Sequence, residues 1–166
     1  MTLTARAQLQ NVGRLDVQAV VPLDAPRFDM AFQGTLGTMP AAAFNAFVVE
    51  TRALQIETGL VADVAFAVGV RNGVAVGTIT PRFNDLAVSI TRDGSDGILG
   101  GGGLLGGAAR GIASFAAKRV LRANNPVRGT SVPLVGQIYH IFTPEETLIA
   151  FLWTGLRDGL LTVVKK

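Results

Sequence analysis

The run Gly101-Gly102-Gly103-Leu104-Leu105-Gly106 has the spacing G-x-G-x-x-G. In a strand–loop–helix turn that spacing lets backbone amides approach a pyrophosphate at a helix N-terminus. Its surroundings do not suit the chemistry. No βαβ pattern flanks it, and about twenty residues on, where an acidic group would hold a ribose, stand Asn124 and Asn125. The wider tract from Gly97 to Gly107 is low-complexity glycine and reads as a flexible joint. His140, the only histidine, lies in the apolar run Gln137-Ile138-Tyr139-His140-Ile141-Phe142 and reads as a structural residue. With no cysteine and no second histidine, no zinc site is expected. Carboxylates are scattered at turns (Asp24, Asp63, Asp85, Asp93, Asp96), and Asp93-Gly94-Ser95-Asp96-Gly97 lacks the length and ligand spacing of an EF-hand loop. No nucleophile is paired with a base. The expectation is a protein that is not an enzyme, with no catalytic residue, no metal and no cofactor.

Charge carries more information than any of these motifs. Residues 1–96 hold 7 Arg against 9 Asp and Glu, a net of −2. Residues 97–144 hold Arg110, Lys118, Arg119, Arg122 and Arg128 with no acid, a net of +5, and the remaining tail is balanced. A local basic patch points to an anionic surface as partner rather than to a nucleic acid, since no aromatic residues are interleaved as a stacking platform would need. Arg110, Lys118, Arg119 and Arg122 fall on a weakly amphipathic segment near 104–123 that reads as a helix. One reading of Lys118, Arg119 and Arg122 is that they complement the dipole at the end of that helix and line a solvated face. On the other, Leu104, Leu105, Ala108, Ile112 and Phe115 dip inward and the cations rest on headgroups.

The elements that must position these residues are mostly strands. Leu3, Ala5, Ala7 and Leu9 alternate with polar neighbours, and after Asn11-Val12-Gly13 the alternation restarts at Leu15, Val17, Ala19 and Val21, a hairpin signal. Phe28, Met30 and Phe32 make a third strand. Ala41 to Val48, behind Pro40, reads as a short helix with Phe44, Phe47 and Val48 on one face, plugging an end of the sheet. Leu60, Ala62, Val64, Phe66, Val68 and Val70 alternate up to the type I′ signal Asn72-Gly73. Val74, Val76 and Ile79 return, Pro81 marks a break, and Leu86, Val88 and Ile90 form a further strand. Val132 to Phe142 reads as one more strand. Thr143 as N-cap, Pro144 at the first position and Glu146 closing a capping box predict a helix over 144–164. Ile149, Leu152, Trp153, Leu156, Leu160 and Val163 would share its inner face, and Gly155 and Gly159 mark close approach to the sheet. The expected fold is therefore β-rich α+β: a curved antiparallel meander with a short helix and two C-terminal helices. In domain terms, 1–96 is the sheet with its helix near 40–48, 97–107 is the joint, and 108–166 completes the same domain.

The 166 residues fit one domain with a core of its own, and 49% hydrophobic content with 16% charge argues against disorder. A mean hydropathy of +0.41 is high for a soluble domain, so either much apolar surface is buried on both sides or some of it meets lipid or a partner. Met1-Thr2-Leu3-Thr4-Ala5-Arg6 has no apolar core of signal-peptide length, and no run of about 18 apolar residues offers a transmembrane span. The chain reads as a piece of something larger that supplies its own targeting.

Several segments together resemble the C-terminal region of the AsmA-like family of bacterial envelope proteins. They are Gly34-Thr35-Leu36-Gly37-Thr38-Met39 with the helix around Phe44-Asn45, then Ile56-Glu57-Thr58-Gly59 and Gly73-Val74-Ala75-Val76-Gly77-Thr78-Ile79. Arg82-Phe83-Asn84-Asp85-Leu86-Ala87-Val88 follows, and Phe151 to Leu160 (FLWTGLRDGL) closes the pattern. The resemblance implies a long curved sheet whose groove is apolar, and a role in bridging or shuttling lipid between membranes and in outer-membrane assembly. It implies no catalytic residue. On this reading the chain is a non-enzymatic envelope domain of the bacterial periplasm, membrane-associated, with phospholipid or a membrane surface and other envelope proteins as partners and no nucleic acid. Leu60, Val64, Phe66 and Val68 are the groove candidates, and Arg110, Lys118, Arg119 and Arg122 the headgroup candidates. The alternative is a protein-interaction or scaffold module of the cell envelope.

Overall fold

The computed structural model describes residues 1–23, 29–48, 54–90 and 121–165. Seven strands form one antiparallel sheet: β1 (Thr2–Leu9), β2 (Gly13–Val20), β3 (Met30–Leu36), β4 (Met39–Pro40), β5 (Leu54–Arg71), β6 (Val74–Ile90) and β7 (Gly136–Ile141). Their order is β1-β2-β3-β5-β6-β7, with the two-residue β4 also paired to β5. A 3-10 turn (Ala41–Phe44) leads into the short helix α1 (Asn45–Val48), and α2 (Leu148–Val164) is the C-terminal helix. The result is the expected β-rich architecture, an open curved meander.

Turn chemistry sets the hairpins. Asn72 and Gly73 join β5 to β6 with φ of 52° and 77°, left-handed at both central positions as a type I′ turn requires. Strands β5 and β6 run for 18 and 17 residues, roughly 55 Å at about 3.3 Å per residue. Register shifts between Ile56 and Thr58, Thr58 and Leu60, and Val61 and Asp63 bend this long ribbon. Gly59 lies at the bend with φ 131°, where a Cβ would come within 2.9 Å of the Leu86 backbone.

Pro81 does not break the strand, and the reason is local. Phe83 and Asn125 exchange backbone hydrogen bonds, each 2.9 Å, so Phe83 directs its N–H away from β5. Pro81, two residues earlier on the same strand, has the same orientation. Pairing with β7 ends at Ile79, so the missing N–H removes no ladder bond.

One residue then ties the far side of this strand together. Asn125 is fully buried. Its amide donates to the carbonyls of Pro81 and Leu134, the latter at 3.0 Å, while its Oδ1 accepts from Leu134 N–H at 2.7 Å. With the backbone exchange to Phe83, the polar groups of a buried asparagine are satisfied. The sequence Asn124-Asn125-Pro126 reads as a stop signal; in the fold it is also a latch, with a cis bond before Pro126.

The helix α2 begins later than its capping signal. Thr147 is the N-cap, its Oγ1 accepting from Ala150 N–H at 3.2 Å. Thr143 to Glu146 forms a separate turn in which Glu146 N–H donates to the Thr143 carbonyl at 3.0 Å. The Glu146 carboxylate still reaches back to Thr143 N–H at 3.3 Å, half of a capping box, but it also binds His140 at 3.0 Å and so closes a turn instead of opening a helix. The buried stripe of α2 is Phe151, Gly155, Gly159 and Val163. Ile149, expected inside, is 79% exposed, because the stripe facing the sheet runs through Phe151, Gly155, Gly159 and Val163 instead. A Cβ on Gly159 would lie 2.7 Å from Ile79 and 2.8 Å from Ile138, and one on Gly136 of β7 would collide with the Gly159 carbonyl.

Among the described residues there is one C-terminal helix where two are expected. The glycine joint (97–107) and most of the expected basic helix near 104–123, with Arg110, Lys118 and Arg119, lie outside the described residues. Residues 121–123 are not helical: Leu121 bridges Lys165, and the Ala123 carbonyl accepts from Leu86 N–H at 2.8 Å.

Candidate functional site

Because every strand alternates, the sheet has two chemically distinct faces. Register places Leu3, Ala5, Ala7 and Leu9 of β1 beside Ala19, Val17, Leu15 and Gly13 of β2. The same face continues through Phe32 and Leu36 of β3, Val64, Phe66 and Val68 of β5, Ile79 of β6 and Ile138 of β7. This apolar face carries the core, whose buried members include Met30, Phe32, Val68, Val70, Ile79, Ile138 and Phe151.

Cover over that face is uneven. Phe151, Gly155 and Gly159 of α2 lie over β6 and β7. The 3-10 turn covers the bent end of β5, held there by Asn45, whose amide bonds the Ile56 backbone twice at 2.8 Å. Moving the other way, burial falls strand by strand. Phe32 and Leu36 of β3 are buried, Leu15, Val17 and Ala19 of β2 half-buried, and Leu3, Ala5 and Ala7 of β1 exposed, Leu3 by 49%. Among the described residues nothing lies over the apolar face of β1. An uncovered apolar strip is thus continuous with a closed core.

The four groove candidates divide. Val64 and Val68 are buried in the core. Phe66 is half-buried, stands over Gly34, and its ring lies 6.0 Å from that of Phe32. Leu60 is corrected: it is 45% exposed on the other face, beside exposed Pro40 and Asn84, while its neighbour Val61 is buried against Met39 and Phe83. The cause is the bulge at Ala62, one extra residue that reverses the inside-outside parity between Val61 and Val64. Unbroken alternation from Leu60 to Val70 hides that reversal. The residues that form the open strip, Leu3, Ala5, Ala7, Val17 and Ala19, were visible as alternation but not as a site, since alternation does not say which strands a helix will cover.

Of the headgroup candidates only Arg122 is described. It is half-buried, its N–H donating to the Val164 carbonyl at 2.7 Å and its Nε to the Val163 carbonyl at 3.1 Å. It therefore caps the C-terminus of α2, where a cation complements exposed carbonyls.

The opposite face is polar at the same end. Arg6 and Arg14 both pair with Asp16, at 3.2 and 2.7 Å, and Gln33 donates to Gln18 at 3.1 Å. These side chains, with Thr4, Thr35 and Ala65, border an open hollow of about 560 Å³. The hydrogen bond from Arg14 holds the Asp16 carboxyl below its ordinary range. Near β7 the polarity reverses: Val76, Tyr139 and Ile141 are exposed on this face.

His140 is accounted for structurally. Its Nε2 meets both Glu146 oxygens, at 3.0 and 3.2 Å, and its ring lies 5.5 Å from Phe151. The imidazole hydrogen bond is the main cause that lowers the Glu146 carboxyl below the usual carboxylate range. A polar pocket gathering His140 with Tyr139 and Asp85 would signal an enzyme, and the fold does not bring the three together: Tyr139 is on the opposite face of β7, and Asp85 pairs with Arg128 at 3.0 Å. Among the described residues no group of three potential metal ligands occurs, and no helix is long and apolar enough to cross a membrane.

No family model matches this chain, and neither a curated protein nor a solved structure does.

Proposed function

We propose that this chain is a non-enzymatic, lipid-contacting domain of the bacterial envelope, the terminal part of an AsmA-like lipid-transfer or outer-membrane-assembly protein. The observation that carries the reading is the uncovered apolar strip of β1 and β2, which runs without interruption into the buried core. Water against such a strip is unfavourable by about 25 cal/mol per Å², so acyl chains or a further apolar surface would lie on it. Phe66, Val17 and Leu15 form its inner margin and Leu3, Ala5 and Ala7 its outer one. Phospholipid is the proposed ligand and the periplasm the proposed compartment, with Arg110, Lys118 and Arg119 contributing headgroup contacts and Arg122 anchoring the approach to α2.

Native mass spectrometry of the purified chain tests this directly. Co-purifying phospholipid is expected, and Leu3→Asp with Ala7→Asp should lower its occupancy several-fold while leaving the circular dichroism spectrum unchanged. Flotation with anionic against neutral vesicles then tests the cations: salt-sensitive binding should be lost on reversing Lys118, Arg119 and Arg122. A lipid-free chain that floats with neither vesicle overturns the reading. The exposed Val76, Tyr139 and Ile141 favour the second reading, a scaffold module of the envelope.

A further inference from the structure

Among the described residues, β1 stands at the end of the sheet with no strand paired to its outer edge and nothing over its apolar face. Met1 and Val21 exchange two hydrogen bonds, the Met1 amine donating at 2.7 Å and Val21 N–H at 2.8 Å. In an antiparallel ladder such pairs recur at every second residue. Leu3, Ala5 and Ala7 therefore bond inward to β2, and Thr2, Thr4, Arg6 and Gln8 direct their N–H and C=O groups outward. The edge carries none of the usual protections: no proline, no bulge and no lysine. Its one charge, Arg6, is paired with Asp16 on its own sheet.

We propose that β1 pairs antiparallel with β1 of a second copy of this chain, about a two-fold axis through Ala5 and normal to the sheet. The sequence is self-complementary in that register. Thr2 meets Gln8 of the second copy and Thr4 meets Arg6, so all four outward residues fall in hydrogen-bonded pairs and eight backbone bonds form. Sliding by two residues in either direction leaves one residue per chain unpaired, and one of those slides sets Arg6 opposite Arg6, a like-charge contact. Leu3 meets Ala7 of the second copy and Ala5 meets Ala5, all on the apolar face. The two-fold keeps both apolar faces on one side, so the open strip doubles in width. Such a contact is isologous and stops at two copies. It rests on backbone groups and does not depend on bound lipid.

Sedimentation velocity over a concentration series is expected to show a mass rising from 17.3 kDa toward twice that value. Thr4→Pro removes only an outward N–H and should hold the chain monomeric with an unchanged circular dichroism spectrum and melting curve. Because the chain has no cysteine, Ala5→Cys supplies an independent reading. Its Cα atoms would lie about 4.5 Å apart across a non-hydrogen-bonded pair, close enough for a disulfide. A covalent dimer should form at least tenfold faster than from Val12→Cys at the exposed hairpin tip. A chain that stays at 17.3 kDa at every concentration overturns the proposal. So does a dimer that survives Thr4→Pro, or an Ala5→Cys chain that cross-links no faster than Val12→Cys.

Discussion

At the β6–β7 end of the sheet, Ile79 and Ile138 lie beneath α2, in contact distance of Gly155 and Gly159. At the β1 end, Leu3, Ala5 and Ala7 occupy the same face of the same sheet and are exposed. The two regions share one alternation and differ only in their lid. Apolar patterning thus specifies a face, while burial requires a second element shaped to reach it. At the covered end that shape comes from glycine, which lets a helix axis approach a strand closely enough for Phe151 to be fully enclosed beside Phe142, ring centroids 5.4 Å apart.

The contrast can be broken most forcefully by placing a charge on each end. Val68→Asp buries an unpaired carboxylate and should abolish folding, whereas Ala7→Asp should shift stability by no more than about 0.5 kcal/mol. Urea titrations of the two variants give the difference, and equal losses would mean that the β1 face is not open. Phe151→Ala removes the centre of the lid contact and should cost about 3–5 kcal/mol, with Leu3→Ala near zero in the same assay. Asn125→Ala, which strands the Pro81 carbonyl and both backbone groups of Leu134, should cost about 2–3 kcal/mol. A loss below about 1 kcal/mol would show that water replaces the amide.

The smallest effect concerns pH. The folded Glu146 carboxyl titrates below its ordinary value near 4.5, chiefly through its hydrogen bond to His140. Its contribution to stability is therefore complete above the unfolded value and is lost as pH falls through the folded one. Glu146→Gln should be less stable than the parent at neutral pH, and the gap should narrow on acidification below pH 4.5. Paired denaturant titrations across that range check it; a gap that widens would reverse the assignment.

Much of the sheet was legible because hairpins announce themselves twice, once by alternation and once by turn residues such as Asn72-Gly73. What stayed hidden is instructive. The bulge at Ala62 leaves no mark where every second residue from Leu60 to Val70 is apolar, so alternation alone puts Leu60 on the same face as Val64. Pro81 reads as a breaker because the sequence does not say that its N–H faces a vacant position. Glu146 supplies a genuine capping signal, but the pull of His140, six residues earlier, comes from the fold. The open strip was written in the first nine residues, yet its status as a surface depends on where α2 lies.

The long hairpin also has a consequence in time. Pairs in β5 and β6 can zip outward from Asn72-Gly73 with almost no loop to close, while the Asn125 amide must find the Pro81 carbonyl across 44 residues. We infer that the hairpin forms early and the latch late. Stopped-flow kinetics should then show Gly73→Ala mainly slowing refolding and Asn125→Ala mainly hastening unfolding; the reverse pattern would place the latch in the nucleus. On this order the apolar face exists before its cover arrives, and a nascent sheet would expose along its full width the surface that, among the described residues, stays open at β1 and β2.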